Sequence, residues 1–133
     1  MAMTDRTKAP LGKLEQQIMD VLWATGATGA TASVRDVCEA LSDRRLAYTT
    51  VMTTLDRLFR KGLLQRERQS GAYLYRPVLT RDEHERSLVE GAVSELLSHS
   101  ADNVLAAFVD LAVKLDDENL DRLERLLEKR RRE

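Results

Sequence analysis

The 133-residue sequence holds a single cysteine, Cys38, and only two histidines, His84 and His99. One thiol cannot close an internal disulfide, which fits a reducing compartment. No metal or other cofactor is expected, because the two histidines stand fifteen residues apart and a metal site needs several ligands at converging spacings. Cys38 reads instead as a small apolar residue on an amphipathic helix. No apolar run approaches the ~20 residues of a membrane span, so no membrane insertion is expected. The first ten residues, MAMTDRTKAP, lack the apolar stretch of a secretory signal. A flexible arm over 1–10 and a cytoplasmic location are the expectations. There is no glycine-rich phosphate loop and no nucleophile motif, and His84 falls between Glu83 and Glu85 on a stretch that reads as exposed helix. An enzyme is therefore not expected.

What is present is charge, unevenly spread. The net charge of -1 conceals +4 over residues 1–78, where 12 Lys and Arg face 8 Asp and Glu, and -5 over residues 79–133. Between 44 and 76 eight arginines and lysines stand against Asp56 and Glu67 alone. A basic subregion on an otherwise acidic body suggests a surface that meets a polyanion.

Hydrophobic spacing orders the chain. Leu14, Ile18, Val21 and Leu22 recur at helical intervals and predict a helix over 13–24 that stops before Gly26. Trp23 is placed for the core or for a joint between domains. The small-residue stretch GATGATA reads as a loop, after which Ser33 and Asp36 cap a short helix with Val34, Val37, Cys38 and Leu41 inward. A third helix is expected from an N-cap near Thr49, with Val51, Met52, Leu55, Leu58 and Phe59 inward and Gly62 just past its end. LLQRER and YLYRPV, separated by QSGA, read as a hairpin. Three helices and a hairpin make a winged helix-turn-helix over 11–78.

Beyond Pro77 the pattern is wholly helical: a mainly α protein with one small β-hairpin. Thr80 and Glu83 form a capping box, then apolar positions recur at Leu88, Val89, Val93, Leu96 and Leu97. A second helix over 103–114 carries Val104, Leu105 and Phe108, and a third from Asp116 carries Leu120, Leu123 and Leu127 before a KRRR end. Those terminal cations suit a helix C-terminus, where the macrodipole favours them, and a nucleic-acid contact is the other reading. The leucines of 79–133 predict a dimerisation domain, since so small a protein cannot bury them all on its own.

The third helix carries the chemistry. At 100° per residue Thr50, Thr53, Arg57 and Arg60 gather opposite the apolar stripe, with Thr54 and Lys61 flanking them and Thr49 at the start. Threonine is a poor helix former, so four of them on one helix imply another demand. Double-stranded DNA supplies one: short hydroxyl side chains let a helix lie deep in the major groove, and arginine pairs bidentately with guanine. Arg66 and Arg68 on the hairpin are expected to meet phosphates, which position a protein without reading sequence. Tyr73 and Tyr75 alternate along the second hairpin strand and either stack on the nucleic acid or pack the wing onto the third helix. A winged-helix module that binds protein would instead show an acidic or apolar third-helix face.

The stretches LEQQIMDVLW, YTTVMTTLDRLFRKGLL, GAYLYRPV, VLAAFVD and LDRLERLLEK carry a resemblance to the penicillinase-repressor family of BlaI, MecI and CopY type, its actinobacterial members most of all. The resemblance spans roughly residues 11–130. It implies a homodimeric transcriptional repressor that binds palindromic operators before beta-lactamase-type or metal-resistance genes. In the antibiotic-responsive branch it implies release by proteolysis in the dimerisation region, driven by a membrane-bound sensor protease or a protease which that sensor activates. The family's cut falls between Asn and Phe in staphylococcal members, and the matching pair here is Ala107 and Phe108. The copper-responsive branch carries a terminal cysteine cluster, whereas no cysteine follows Cys38.

Overall fold

The computed structural model describes residues 10–26 and 29–133, Leu115 by its backbone alone. The arm expected over 1–10 lies, but for Pro10, outside them. The elements run α1 (Lys13–Gly26), β1 (Ala32–Ser33), α2 (Val34–Ala40), a 3-10 turn (Ser42–Arg44), α3 (Tyr48–Arg60), β2 (Leu64–Gln69), β3 (Ala72–Pro77), α4 (Arg81–Leu97), α5 (Ala101–Leu115) and α6 (Asp117–Arg132). They form two compact units, residues 1–91 and 92–133, divided inside α4.

The first unit is built on the expected apolar stripes. Ile18, Met19 and Leu22 of α1, Val37 of α2 and Val51, Leu55 and Leu58 of α3 are all at most 1% exposed and close one core with Leu63, Leu64 and Tyr75. Burying each such side chain stabilises the fold by about 1.5–3 kcal/mol. Ser33 caps α2 as its sequence predicts: its hydroxyl accepts from Asp36 N–H at 3.1 Å while the Asp36 carboxylate accepts from Ser33 N–H at 2.9 Å.

The hairpin β2–β3 has a two-residue turn, Ser70-Gly71, between the paired ends Gln69 and Ala72. Both turn residues have positive φ, 52° and 82°, the handedness that matches the twist of the strands. The sheet nevertheless holds three strands, not two. β1, the last residue of the stretch read as loop together with the Ser33 cap, pairs antiparallel with β3, Ala32 opposite Tyr75 and Ser33 opposite Leu74, giving the order β1-β3-β2. A two-residue strand is too short to show alternation, so no periodicity announces it.

α4 opens on the expected capping box, Thr80 Oγ1 accepting from Glu83 N–H at 3.1 Å and Glu83 Oε1 from Thr80 N–H at 3.2 Å. One expectation about this helix fails. His84 is not exposed: it is 2% accessible, its ring centroid 5.2 Å from that of Trp23, and neither ring nitrogen has a hydrogen-bond partner among the described residues. Trp23 in turn donates its Nε1–H to the Leu79 carbonyl at 3.0 Å and lies under the Arg81 guanidinium, which bridges to Asp20 at 3.2 Å. The start of α4 is thus fastened to α1. The stripe that begins at Leu88 runs one turn further back, to His84.

In the second unit α5 packs on α6, which starts at the Asp116 cap, its carboxylate accepting from Glu118 N–H at 3.0 Å. No described side chain between 92 and 133 is buried. Among the described residues, no helix is long and apolar enough to cross a membrane.

Candidate nucleic-acid interface

α3 presents the face on which the sequence reading converges, but rotated. Thr49, Thr50, Thr53, Arg57 and Arg60 are exposed. Thr54 is not: it is 4% exposed, and its hydroxyl donates to the Thr50 carbonyl at 2.8 Å. A threonine can bury itself this way because the preceding turn satisfies its one donor. Lys61 also leaves the face, its Nζ reaching Glu15 Oε2 of α1 at 2.7 Å. The exposed arc gains the opposite flank instead, where Met52, expected in the core stripe, is 42% exposed, Tyr48 is 55% exposed and Asp56 stands. Met52 misses the core because its direction falls past the edge set by Leu55 and Phe59.

The start of α3 also differs from expectation. The helix begins at Tyr48, with Ala47 in the cap position and no side chain capping it, so Thr49 is a first-turn residue and not an N-cap. Beside that turn a shallow groove of about 360 Å³ is lined by Leu14 of α1 and by Thr49, Thr50, Thr53, Thr54 and Arg57 of α3.

Glu15, which sequence reasoning passed over, ties α1 to this surface. It is 7% exposed and accepts from Gly12 N–H at 3.0 Å as well as from Lys61. Burial opposes its charge, yet the Lys61 ammonium, the Gly12 N–H and the field of Arg57 together hold the carboxyl below its usual value. Gly12 offers no side chain to cap α1, and the reach of Glu15 back to its N–H supplies half of a capping box. That i+3 spacing was open to inspection in the sequence; the partner 46 residues away was not.

The wing is organised around Asp56. Its two carboxylate oxygens accept from Arg60 Nε at 2.7 Å and from Arg66 Nη1 at 2.8 Å. Those bonds, Arg66's first, hold the Asp56 carboxyl below the usual carboxylate range. The Arg66 guanidinium lies 3.9 Å from the Phe59 ring centroid and 4.1 Å from that of Tyr73, leaving its side chain 20% exposed. Arg66, expected to meet phosphates, thus has its guanidinium engaged by Asp56 and two rings. Arg68 is exposed, its guanidinium 5.6 Å from the Tyr73 ring, and neither it nor Arg57 has a carboxylate in ion-pair reach among the described residues. Tyr75 is 2% exposed and packs the wing onto the core, whereas Tyr73 stays 37% exposed beneath two arginines. The packing reading holds for Tyr75, and Tyr73 is the one of the pair left accessible.

The residues expected to join two chains remain open. Val89, Leu96, Leu105, Phe108 and Leu127 are each more than half exposed, while Leu88, Val93, Leu97, Val104, Leu120 and Leu123 are partly covered. Ala107 and Phe108 lie in the middle of α5, both exposed.

The chain matches the penicillinase repressor family over residues 11–129. It is 42% identical over 120 residues to the transcriptional regulator BlaI of two Mycobacterium tuberculosis strains, covering 88% of this chain and 82% of that protein. The solution structure of the DNA-binding domain of the repressor BlaI aligns at 23% identity with a TM-score of 0.46, covering 55% of this chain and 85% of that domain.

Proposed function

The chain belongs to the penicillinase repressor family, transcriptional repressors with a winged-helix DNA-binding fold, and from that premise we propose that it represses beta-lactamase-type resistance genes by binding palindromic operators as a homodimer. The carrying observation is the exposed arc of α3, where Thr49, Thr50, Thr53 and Arg57 face solvent while Val51, Leu55 and Leu58 on the opposite side of the same helix are buried. Such a helix fits the major groove: hydroxyls touch phosphates, base edges or a thymine methyl, and Arg57, with no carboxylate in ion-pair reach among the described residues, is available to guanine. The uncapped first turn of α3 leaves N–H groups for a phosphate, and Arg68 at the wing supplies a second backbone contact.

Residues 92–133 support the dimer. A helical unit with no buried side chain among those described has no core of its own, and a second copy covering Leu105, Phe108 and Leu127 would supply one. A two-fold dimer sets its recognition helices about 34–36 Å apart, one turn of DNA, and gains operator affinity because the second half-site binds at a high effective concentration. Release by proteolysis in α5 near Ala107 and Phe108 would abolish that gain without touching the reading surface.

Selection of duplexes from a random-sequence pool, joined to a genome-wide footprint, tests the reading. A palindrome with half-sites about 10 base pairs or a multiple apart, upstream of resistance genes, is the expected result; binding without sequence preference would overturn it. Immunoblotting after beta-lactam exposure tests the release step, and derepression with the chain still full-length would reject proteolysis.

A further inference from the structure

Asp56 poses a problem for any surface that receives DNA. It stands on the exposed arc of α3, three residues after Thr53 and four before Arg60, with its side chain 37% exposed. A carboxylate there repels phosphate, and nothing about helix formation requires it. Its contacts give it a purpose. Among the described residues it is the one group that holds an arginine of α3 and an arginine of β2 at once, at 2.7 Å and 2.8 Å. Arg66 is also clasped between Phe59 of α3 and Tyr73 of β3, so the Asp56 bond completes an assembly that joins the recognition helix to both strands of the wing. An isolated exposed ion pair contributes little, because two long side chains must be ordered in high dielectric. Here the ordering comes from the two rings, and the planar guanidinium suits both the stacking and the bond.

We propose that Asp56 is a positioning residue for DNA recognition: through Arg66 it fixes the wing against α3, so that Arg68 and Tyr73 meet the backbone at a set distance from the threonine face. The inference rests on the DNA-binding reading. It assigns Asp56 two opposing effects. Its charge weakens binding to any duplex, while the strut it completes strengthens binding only where α3 and wing must engage together. Removing it should therefore tighten random binding and loosen specific binding, a divergence that charge removal alone does not produce.

The test compares wild type, Asp56→Asn and Asp56→Ala on two probes, a duplex the wild-type chain selects from a random pool and an unrelated duplex of equal length, over a range of salt. Expected are a severalfold gain on the unrelated duplex, a loss of roughly tenfold on the selected one, and a salt slope steeper by about one to two units as Arg60 and Arg66 turn to phosphates. Equal gains on both probes would reduce Asp56 to a simple repulsive charge and overturn the proposal, as would no change on either. Renewed selection with Asp56→Asn separates positioning from base reading: a general loss of discrimination supports the strut, and a changed preference at a single base pair would make Asp56 a direct reader. The double variant Asp56→Asn/Arg66→Gln should bind the selected duplex no worse than Arg66→Gln alone; additive losses would overturn the proposal. A readout independent of DNA is the Arg66 guanidinium by NMR, expected to be immobile in wild type and mobile in both Asp56 variants. If the wild-type chain selects no sequence, the operator reading falls, and the NMR comparison still decides whether the strut exists.

Discussion

Four threonines open α3, and burial separates them. Thr49, Thr50 and Thr53 face solvent, whereas Thr54 spends its hydroxyl on the helix's own backbone. The arginines divide the same way, Arg66 and Arg60 bound to Asp56, Arg57 and Arg68 left without an ion pair among the described residues. The unpaired two are thus the ones we propose for contact. Arg57→Ala is expected to weaken binding to the selected duplex by about 1–3 kcal/mol and to random DNA much less, the mark of a base contact, in fluorescence-anisotropy titrations. Arg68→Ala should weaken both and flatten the salt slope by about one unit. Equal losses with Arg57→Ala on both duplexes would make it a phosphate clamp. Helical periodicity was enough to find the face, because the spacing of Val51, Leu55 and Leu58 fixes where the core lies. It misjudged both flanks, since Thr54 and Met52 sit near the boundary, where a local hydrogen bond or a neighbour's bulk decides burial.

At the scale of elements, the helices were readable from their stripes and caps, and β1 was not, being two residues held by partners more than forty positions away. The joint of α1 with α4 was half visible, through Trp23 but not through His84. Burial pushes the His84 imidazole below its ordinary 6.5, with Glu85 acting weakly the other way. The folded chain therefore takes up this proton less readily than the unfolded chain. Stability from this site is whole above pH 6.5 and falls as the pH drops from there towards the folded value. Glu15 acts in a separate window: its lowered carboxyl contributes above about 4.5 and is lost below. Urea unfolding at pH 7.5 and 5.5 should show wild type losing more stability than His84→Phe; equal losses would mean that the imidazole is solvated. The wing turn gives a second prediction. Ser70 is a non-glycine residue at φ 52°, a conformation asparagine tolerates better. Ser70→Asn should raise unfolding stability by about 0.5–1 kcal/mol without altering DNA affinity.

For the whole molecule, the division inside α4 tells where the chain can be cut. His84 belongs to the first unit, so a truncation at residue 80 removes a piece of that core, whereas one after Gly91 does not. Residues 1–91 are expected to be a folded monomer by sedimentation, to keep weak binding to a single half-site and to lose the tight binding of the full chain. A full-length chain that sediments as a monomer at micromolar concentration, and binds no tighter than residues 1–91, would remove the dimer.

The leucines of residues 92–133 also bear on how long the protein lasts. With none of its described side chains buried, a solitary copy shows solvent the apolar sequence that cellular proteolysis recognises, and the dimer we propose would hide it. Under that proposal lifetime would depend on abundance: surplus partners would protect one another and a scarce chain would be cleared, sharpening the fall in repressor once synthesis slows. Pulse-chase at low and high expression would read this as a longer half-life at the higher level, and equal half-lives would dismiss it.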